Sequence, residues 1–169
     1  WVYTWYNPGK EKDAANALIS QGCDVVAQHT DSPAPLQAAE EKGVFGFGQA
    51  SDQMKFAPKA QLTASIDNWG PYYIDKVGQV MDGTWTTGDY FGHMNEGAVQ
   101  MAPFANMPPE VEAEAQRVKD AITDGELFGF TGPINKQDGS VFLAEGEVAT
   151  RMQLDTMMFY VEGIKSSMP

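Results

Sequence analysis

The sequence predicts an α/β fold with a parallel sheet and flanking helices. Three observations carry this. Short apolar or aromatic runs recur at Trp1–Trp5, Cys23–Gln28 and Val44–Gly48. Helix start and stop signals fall between them. The spacing of about twenty residues suits right-handed crossovers rather than hairpins. The chain has 169 residues, 43% of them hydrophobic and 20% charged, which is a globular composition and enough for one ordinary domain.

Each element has its own local reason. Trp1–Trp5 is aromatic and β-branched, which suits a strand. Asn7-Pro8 reads as an N-cap followed by proline at the first helical position. Ala14, Ala17 and Leu18 are expected on the inward face of that helix, and Gly22 stops it. Cys23–Gln28 reads as a buried strand, with Cys23 an inert core thiol. Ser32-Pro33 opens a second helix with Leu36 and Ala39 inward and Gly43 as its end. Val44–Gly48 is the third strand, and Ala60–Ser65 a fourth. Gly70–Asp82 reads as a helix with Ile74, Val77 and Met81 on one side. Tyr90–Met101 is strand material interrupted at Asn95-Glu96-Gly97. Pro108-Pro109-Glu110 starts a helix in which Val111, Ala115, Val118 and Ile122 recur at helical spacing, closed by Gly125. Phe128–Ile134 and Ser140–Leu143 form a hairpin around Gln137-Asp138-Gly139. Thr150–Tyr160 reads as a short helix or irregular packing segment.

Charge and motifs exclude several classes of function. The net charge is −12, and acidic residues outnumber basic ones on both sides of Trp85. No basic patch exists for nucleic acid or an anionic membrane. A neutral or cationic small ligand fits this field better than a phosphorylated one. The one cysteine rules out an internal disulfide and a cysteine zinc cluster. His29 and His93 have no metal-ligand spacing, and no phosphate-gripping glycine loop occurs, so no cofactor is expected. The chain opens on Trp1 without a signal peptide and reads as trimmed at its start.

In open parallel sheets, ligands bind beyond the carboxyl ends of the strands. The loops leaving those ends are Trp5-Tyr6-Asn7, Gln28–Ser32 and Gln49–Gln53. Asp67-Asn68-Trp69 adds a fourth polar and aromatic cluster. Taken singly, Ser32 reads as a helix cap, Asp52 and Gln53 as turn residues, and Asp67 and Asn68 as caps for the helix at Gly70. Their meeting at one edge favours a flat heterocycle, with an aromatic plate on its face and acceptors for its in-plane N–H groups. His29, Asp31 and Ser32 resemble a triad only as text, because a working relay is assembled in space from separate segments.

The stretches Thr4–Gly48, Ser51–Val77 and Asp82–Trp85 resemble the carboxyl-terminal half of the Bmp/Med/PnrA-like basic membrane lipoproteins. Gly22–Gln28, Asn68–Tyr73, Phe130–Gly139 and Met157–Ile164 are similar as well. The resemblance implies one lobe plus crossing segments of a type I periplasmic-binding protein. Residues 1–66 would be the second-lobe β/α units, and residues 67–169 a lobe-crossing helix, strands, helix and tail. The amino-terminal half, with the rest of the first lobe, would be absent. The face of the Asn68–Trp85 segment that normally meets that lobe would be exposed, or covered by another copy or by the missing half.

The resemblance also implies the function: an extracytoplasmic solute-binding protein, not an enzyme, that captures a purine base or nucleoside for an ABC permease. It would sit in the periplasm or be a lipoprotein on the outer face of the cytoplasmic membrane. The implied ligand-binding residues are Trp5, Asp31, Gln49, Asp67 and Asn68, with Trp5 as the stacking aromatic. Ala50 stands where nucleoside binders carry an acidic residue for the ribose, and Asp67 replaces an expected lysine. Both departures favour a free, adenine-like base. The alternatives are a ligand-sensing regulatory domain of the same fold and a small hydrolase using His29.

Overall fold

A computed structural model describes residues 2–168, and it divides into two compact units, 1–123 and 124–169. In the first unit, α1 (Pro8–Ser20), β1 (Val25–Val26), α2 (Ala34–Lys42), β2 (Phe45–Gly48) and β3 (Gln61–Asp67) follow in order. A 3₁₀ turn, Met54–Phe56, precedes β3. Next come α3 (Gly70–Met81), a second 3₁₀ turn at Met94–Glu96, β4 (Val99–Met101) and α4 (Pro109–Thr123). The strands lie in the order β1-β2-β3-β4. β1, β2 and β3 are parallel, with Val25 opposite Phe45 and Gly46 opposite Gln61, while β4 runs antiparallel to β3. The three parallel strands therefore send their loops to the same edge.

The core lies between the sheet and the pair α1 and α2. Leu36, Ala38 and Ala39 of α2 are fully buried with Val26, Ala57 and Ala60, as the helical spacing predicted for Leu36 and Ala39. The glycines of β2 permit the close approach. A Cβ on Gly46 would stand 2.8 Å from Leu36 Cδ1 and 3.0 Å from the Val26 carbonyl. A Cβ on Gly48 would meet Ala64 Cβ at 2.7 Å. On a strand, alternate residues take opposite faces, and Phe47 lines an apolar slot of about 580 Å³ beside Met101, Val111, Val118 and Ile122. That slot includes none of the predicted site residues.

Four expectations are corrected. Val2–Trp5 is not a strand. Tyr3 has φ 50, in the left-handed region, which breaks an extended run; Trp1 lies outside the described residues. The inward face of α1 is not Ala14, Ala17 and Leu18. Ala17 and Leu18 are exposed, and the buried row is Glu11 and Ala15, with Ile19 packed against the core. Cys23 is exposed and precedes β1, so it is no core thiol. Asp67 and Asn68 do not cap α3; its N-cap is Trp69, and no side chain makes a cap bond there. On α3, Ile74, Val77 and Met81 share one side and are all exposed.

In the second unit, β5 (Ile134–Asn135) and β6 (Val141–Leu143) form the predicted hairpin, and α5 (Arg151–Asp155) opens on a capping box between Thr150 and Gln153. Leu143 is fully buried, and Phe142 packs edge-on against Phe159 at 4.8 Å.

Candidate functional site

The edge beyond β1, β2 and β3 is organised by side-chain amides. Thr30 Oγ1 donates to Gln28 Oε1 at 2.9 Å. Gln28 Nε2 donates to Gln53 Oε1 at 3.1 Å and to the Phe47 carbonyl at 3.3 Å. Gln53 Nε2 donates to the Gln49 carbonyl at 3.2 Å, and Ser65 Oγ reaches Gln49 Oε1 at 3.4 Å. From below, the fully buried Gln61 accepts the Gln53 N–H at 3.0 Å and donates to Asp52 Oδ1 at 2.8 Å. This ladder joins the loops after β1 and β2 to β3 without burying a net charge. Gln28, Gln53 and Gln61 were not among the predicted site residues. The available signal was a buried strand, β3, opening on a glutamine.

The ladder settles several bland readings. Asp52 is a turn residue: its carboxylate accepts the Met54 N–H at 2.9 Å as well as the Gln61 amide. Those two bonds hold its carboxyl below the ordinary value, against a smaller opposing effect of burial. Ser32 is not the N-cap of α2, which is Pro33 with no side-chain cap bond; the Ser32 hydroxyl instead accepts the N–H of Ala34, the first helical residue, at 3.2 Å. The same hydroxyl donates to the buried Glu11 carboxylate, so it is not a free nucleophile for His29. Among the described residues, no group of His, Cys, Asp and Glu is arranged to hold a metal ion.

The five predicted ligand residues do not gather in one place. Trp5 is 81% exposed and lines a groove of about 700 Å³ with Tyr3, Leu18, Val26, Gln28 and His29. Asp31 is exposed at the start of the α2 loop and does not line that groove. Gln49 and Asp67 are neighbours, because the Asp67 N–H donates to the Ala50 carbonyl at 3.1 Å. Asn68 is tied to the turn before β4: its N–H donates to Ala98 and its Nδ2 to Gly97, both at 2.8 Å. With Trp69, Tyr90 and Phe91, Asp67 and Asn68 line a smaller cavity of about 150 Å³. Trp69 and Tyr90 stand 6.2 Å apart, and Tyr72 lies 4.4 Å from Tyr90. Neither of these two cavities takes in all five.

The arrangement is a hydrogen-bonded polar edge with an exposed tryptophan beside it. The family profile for Bmp, ABC transporter substrate-binding protein PnrA-like, matches residues 1–128. The chain belongs to this family. The Bmp family is one of solute-binding proteins and not of enzymes. A purine-binding protein of Brucella abortus (strain 2308) is 53% identical over 169 residues, which is 100% of this chain and 48% of that protein. A putative ABC transporter glucose-binding protein of Haloferax volcanii is 29% identical over 170 residues, covering 100% of this chain and 41% of that protein. This Bmp-family chain thus spans about half the length of the curated relatives it matches. A crystal structure of a transcriptional activator of the comK gene from Bacillus halodurans shares the fold, with a TM-score of 0.66 and 19% identity over 76% of this chain and 47% of that one.

Proposed function

We propose that this chain forms the second lobe, residues 1–66, and the crossing segments, residues 67–169, of a two-lobed extracytoplasmic protein. That protein captures a purine-like ligand and delivers it to an ABC permease. The observation that carries the reading is Trp5, a large aromatic left 81% exposed beside a hydrogen-bonded ladder at the carboxyl edge of the sheet. Trp5 stacks on the ring, and Asp31, Gln49 and Asp67, which lie outside the Trp5 groove in this structure, would have to close toward the ring to accept its in-plane N–H groups. Asn68 takes part through Oδ1, because its Nδ2 is engaged by Gly97. The similarity to the Brucella purine-binding protein supports the ligand class. No helix among the described residues is long and apolar enough to cross a membrane. We place the protein in the periplasm, or anchored as a lipoprotein on the outer face of the cytoplasmic membrane.

The ligand is a free base rather than its nucleoside. A ribose hydroxyl pair enclosed in a cleft needs acceptors, and an unmatched buried polar group costs about 1–3 kcal/mol. Ala50 offers no side-chain acceptor at the loop position beside Asp67. Calorimetry on the intact two-lobed protein tests this: adenine should bind at least about tenfold tighter than adenosine, the equivalent of one lost bond. Ala50→Asp should narrow the gap. Ala50 sits at φ 59, a conformation aspartate adopts more readily than alanine, so the change does not strain the turn. Equal affinities for adenine and adenosine in the parent would overturn the inference from Ala50.

The exposed side of α3, with Ile74, Val77 and Met81, is the face that meets the other lobe or a second copy. Sedimentation of the 169-residue chain should show association. A stable monomer across a wide concentration range would count against this.

A further inference from the structure

We propose that Glu11 is a positioning residue that sets the loop bearing Trp5 and the loop bearing Asp31 in one fixed relation. Glu11 is 1% exposed, on the inward row of α1. Its Oε1 accepts the Asn7 N–H at 2.7 Å, and Asn7 is the N-cap two residues after Trp5. Its Oε2 accepts the Ser32 hydroxyl, one residue after Asp31. A single carboxylate thus bridges two segments whose sequence separation is large and which β1 alone does not join. Each oxygen serves a different loop, so neither contact substitutes for the other.

The wiring beyond Glu11 is directional. Ser32 Oγ has one proton, given to Glu11, and it accepts the Ala34 N–H at 3.2 Å. Removing the carboxylate charge therefore disturbs the start of α2 as well as the loop before it. On the other side, Asn7 Oδ1 accepts the Lys10 N–H at 3.0 Å, so the first turn of α1 and the Trp5 loop move together. Thr30, in the same loop as Asp31, starts the amide ladder through Gln28. Glu11 is the point where that ladder is joined to the Trp5 loop. A buried acid with no partner would be costly, and here its two oxygens are matched by donors from the two loops. Burial acts to raise its pKa, and the bonds given by Ser32 and Asn7 lead the effects that outweigh it and hold it below the ordinary value.

This inference rests on the purine reading only where affinity is measured. The test compares the parent with Glu11→Met, which removes both oxygens, Glu11→Asp and Ser32→Ala. Amide hydrogen exchange on the 169-residue chain should speed up by about tenfold or more in Glu11→Met, at Asn7–Lys10 and at Thr30–Ala34 together, with α4 unchanged. Ser32→Ala should loosen the second segment alone, because the Asn7 contact survives. In the intact two-lobed protein, Glu11→Met should weaken adenine binding about tenfold, and Glu11→Asp should recover part of it. A residue serving stability alone would lower the unfolding midpoint and leave the affinity of the folded protein unchanged; that result overturns the proposal. Faster exchange confined to one segment in Glu11→Met overturns it too. If Glu11→Met does not fold, Ser32→Ala decides: unchanged exchange at Thr30–Ala34 refutes the tie. If the parent binds no adenine, the purine reading fails while the exchange measurements still decide the role of Glu11.

Discussion

Gln61→Met tests whether the loop after β2 is held from beneath by a single amide. Methionine keeps the length and much of the volume of the side chain, so packing against Gly48 and Ala64 is nearly preserved. What is lost is specific. The Gln53 N–H, in a buried residue, loses its acceptor at 3.0 Å, and Asp52 loses its donor at 2.8 Å. An unmatched buried N–H costs about 1–3 kcal/mol. Asp52 is exposed and recovers its hydrogen bond from water, so it adds little. The expected loss is therefore about 1–3 kcal/mol, or a fall in Tm of roughly 2–12 °C for a chain of this length. Urea unfolding measures the first, and an NMR titration measures a second consequence. The Asp52 carboxyl, held low mainly by the Gln61 bond and then by the Met54 N–H, should move up toward its ordinary value. A variant as stable as the parent, with Asp52 titrating as before, would show that the loop does not hang on Gln61.

Trp5→Ala in the intact protein should weaken purine binding by about 1–3 kcal/mol, the range for stacking on a base. Its unfolding midpoint should hardly change, since the side chain is mostly exposed; a large loss of stability with equal affinity would return Trp5 to the core. Acid sensitivity follows from Glu11. Its folded pKa lies below the ordinary value, so its contribution is complete above the usual glutamate pKa of about 4.3 and is lost as pH falls through the depressed value. The stability gap between parent and Glu11→Gln should thus shrink between pH 7 and pH 3 in urea melts; a gap independent of pH would refute this.

Where local pattern and packing agreed, the fold was legible in the sequence. Leu36 and Ala39 sit where their spacing put them, and Gly43 ends α2 in the left-handed conformation. Val111, Ala115, Val118 and Ile122 share the side of α4 that lines the apolar slot. The face of α1 was misread because its buried row contains an acid. Glu11 is acceptable there only through donors at Asn7 and Ser32, and the second of these is 21 residues away, beyond any local window. Aromatic and β-branched composition pointed to a strand at Trp1–Trp5, but composition does not report the left-handed turn at Tyr3. The shared edge of the loops after β1 and β2 was legible from strand and helix alternation, but the Trp5 loop follows no strand. The ladder of Gln28, Gln53 and Gln61 was not, because it depends on strand order and on which alternate residues of β3 face inward.

The energetics of the edge explain why such a lobe would be built rigid and still need a partner surface. On the proposed reading, stacking on Trp5 would supply about 1–3 kcal/mol. A hydrogen bond to Gln49 would add about 0.5–1.5 kcal/mol, and those to the carboxylates of Asp31 and Asp67 about 1.5–3 kcal/mol each. The middle of these ranges sums to about 7–8 kcal/mol, no more than the roughly 8 kcal/mol that a micromolar dissociation constant requires, before any cost of ordering the loops. Two features raise the yield of so small a set of contacts. The amide ladder and the Glu11 bridge order the loops before a ligand arrives, which removes most of the ordering cost. The second is a surface that closes over the exposed side of the ring, excluding water and adding contacts to the face that Trp5 leaves open. The exposed row of Ile74, Val77 and Met81 on α3 gives that surface an apolar seat on the same unit. On the proposed reading, the hydrogen-bonded edge, the exposed Trp5 and the exposed apolar side of α3 would be three parts of one binding strategy, with selectivity residing in the edge and affinity coming from closure.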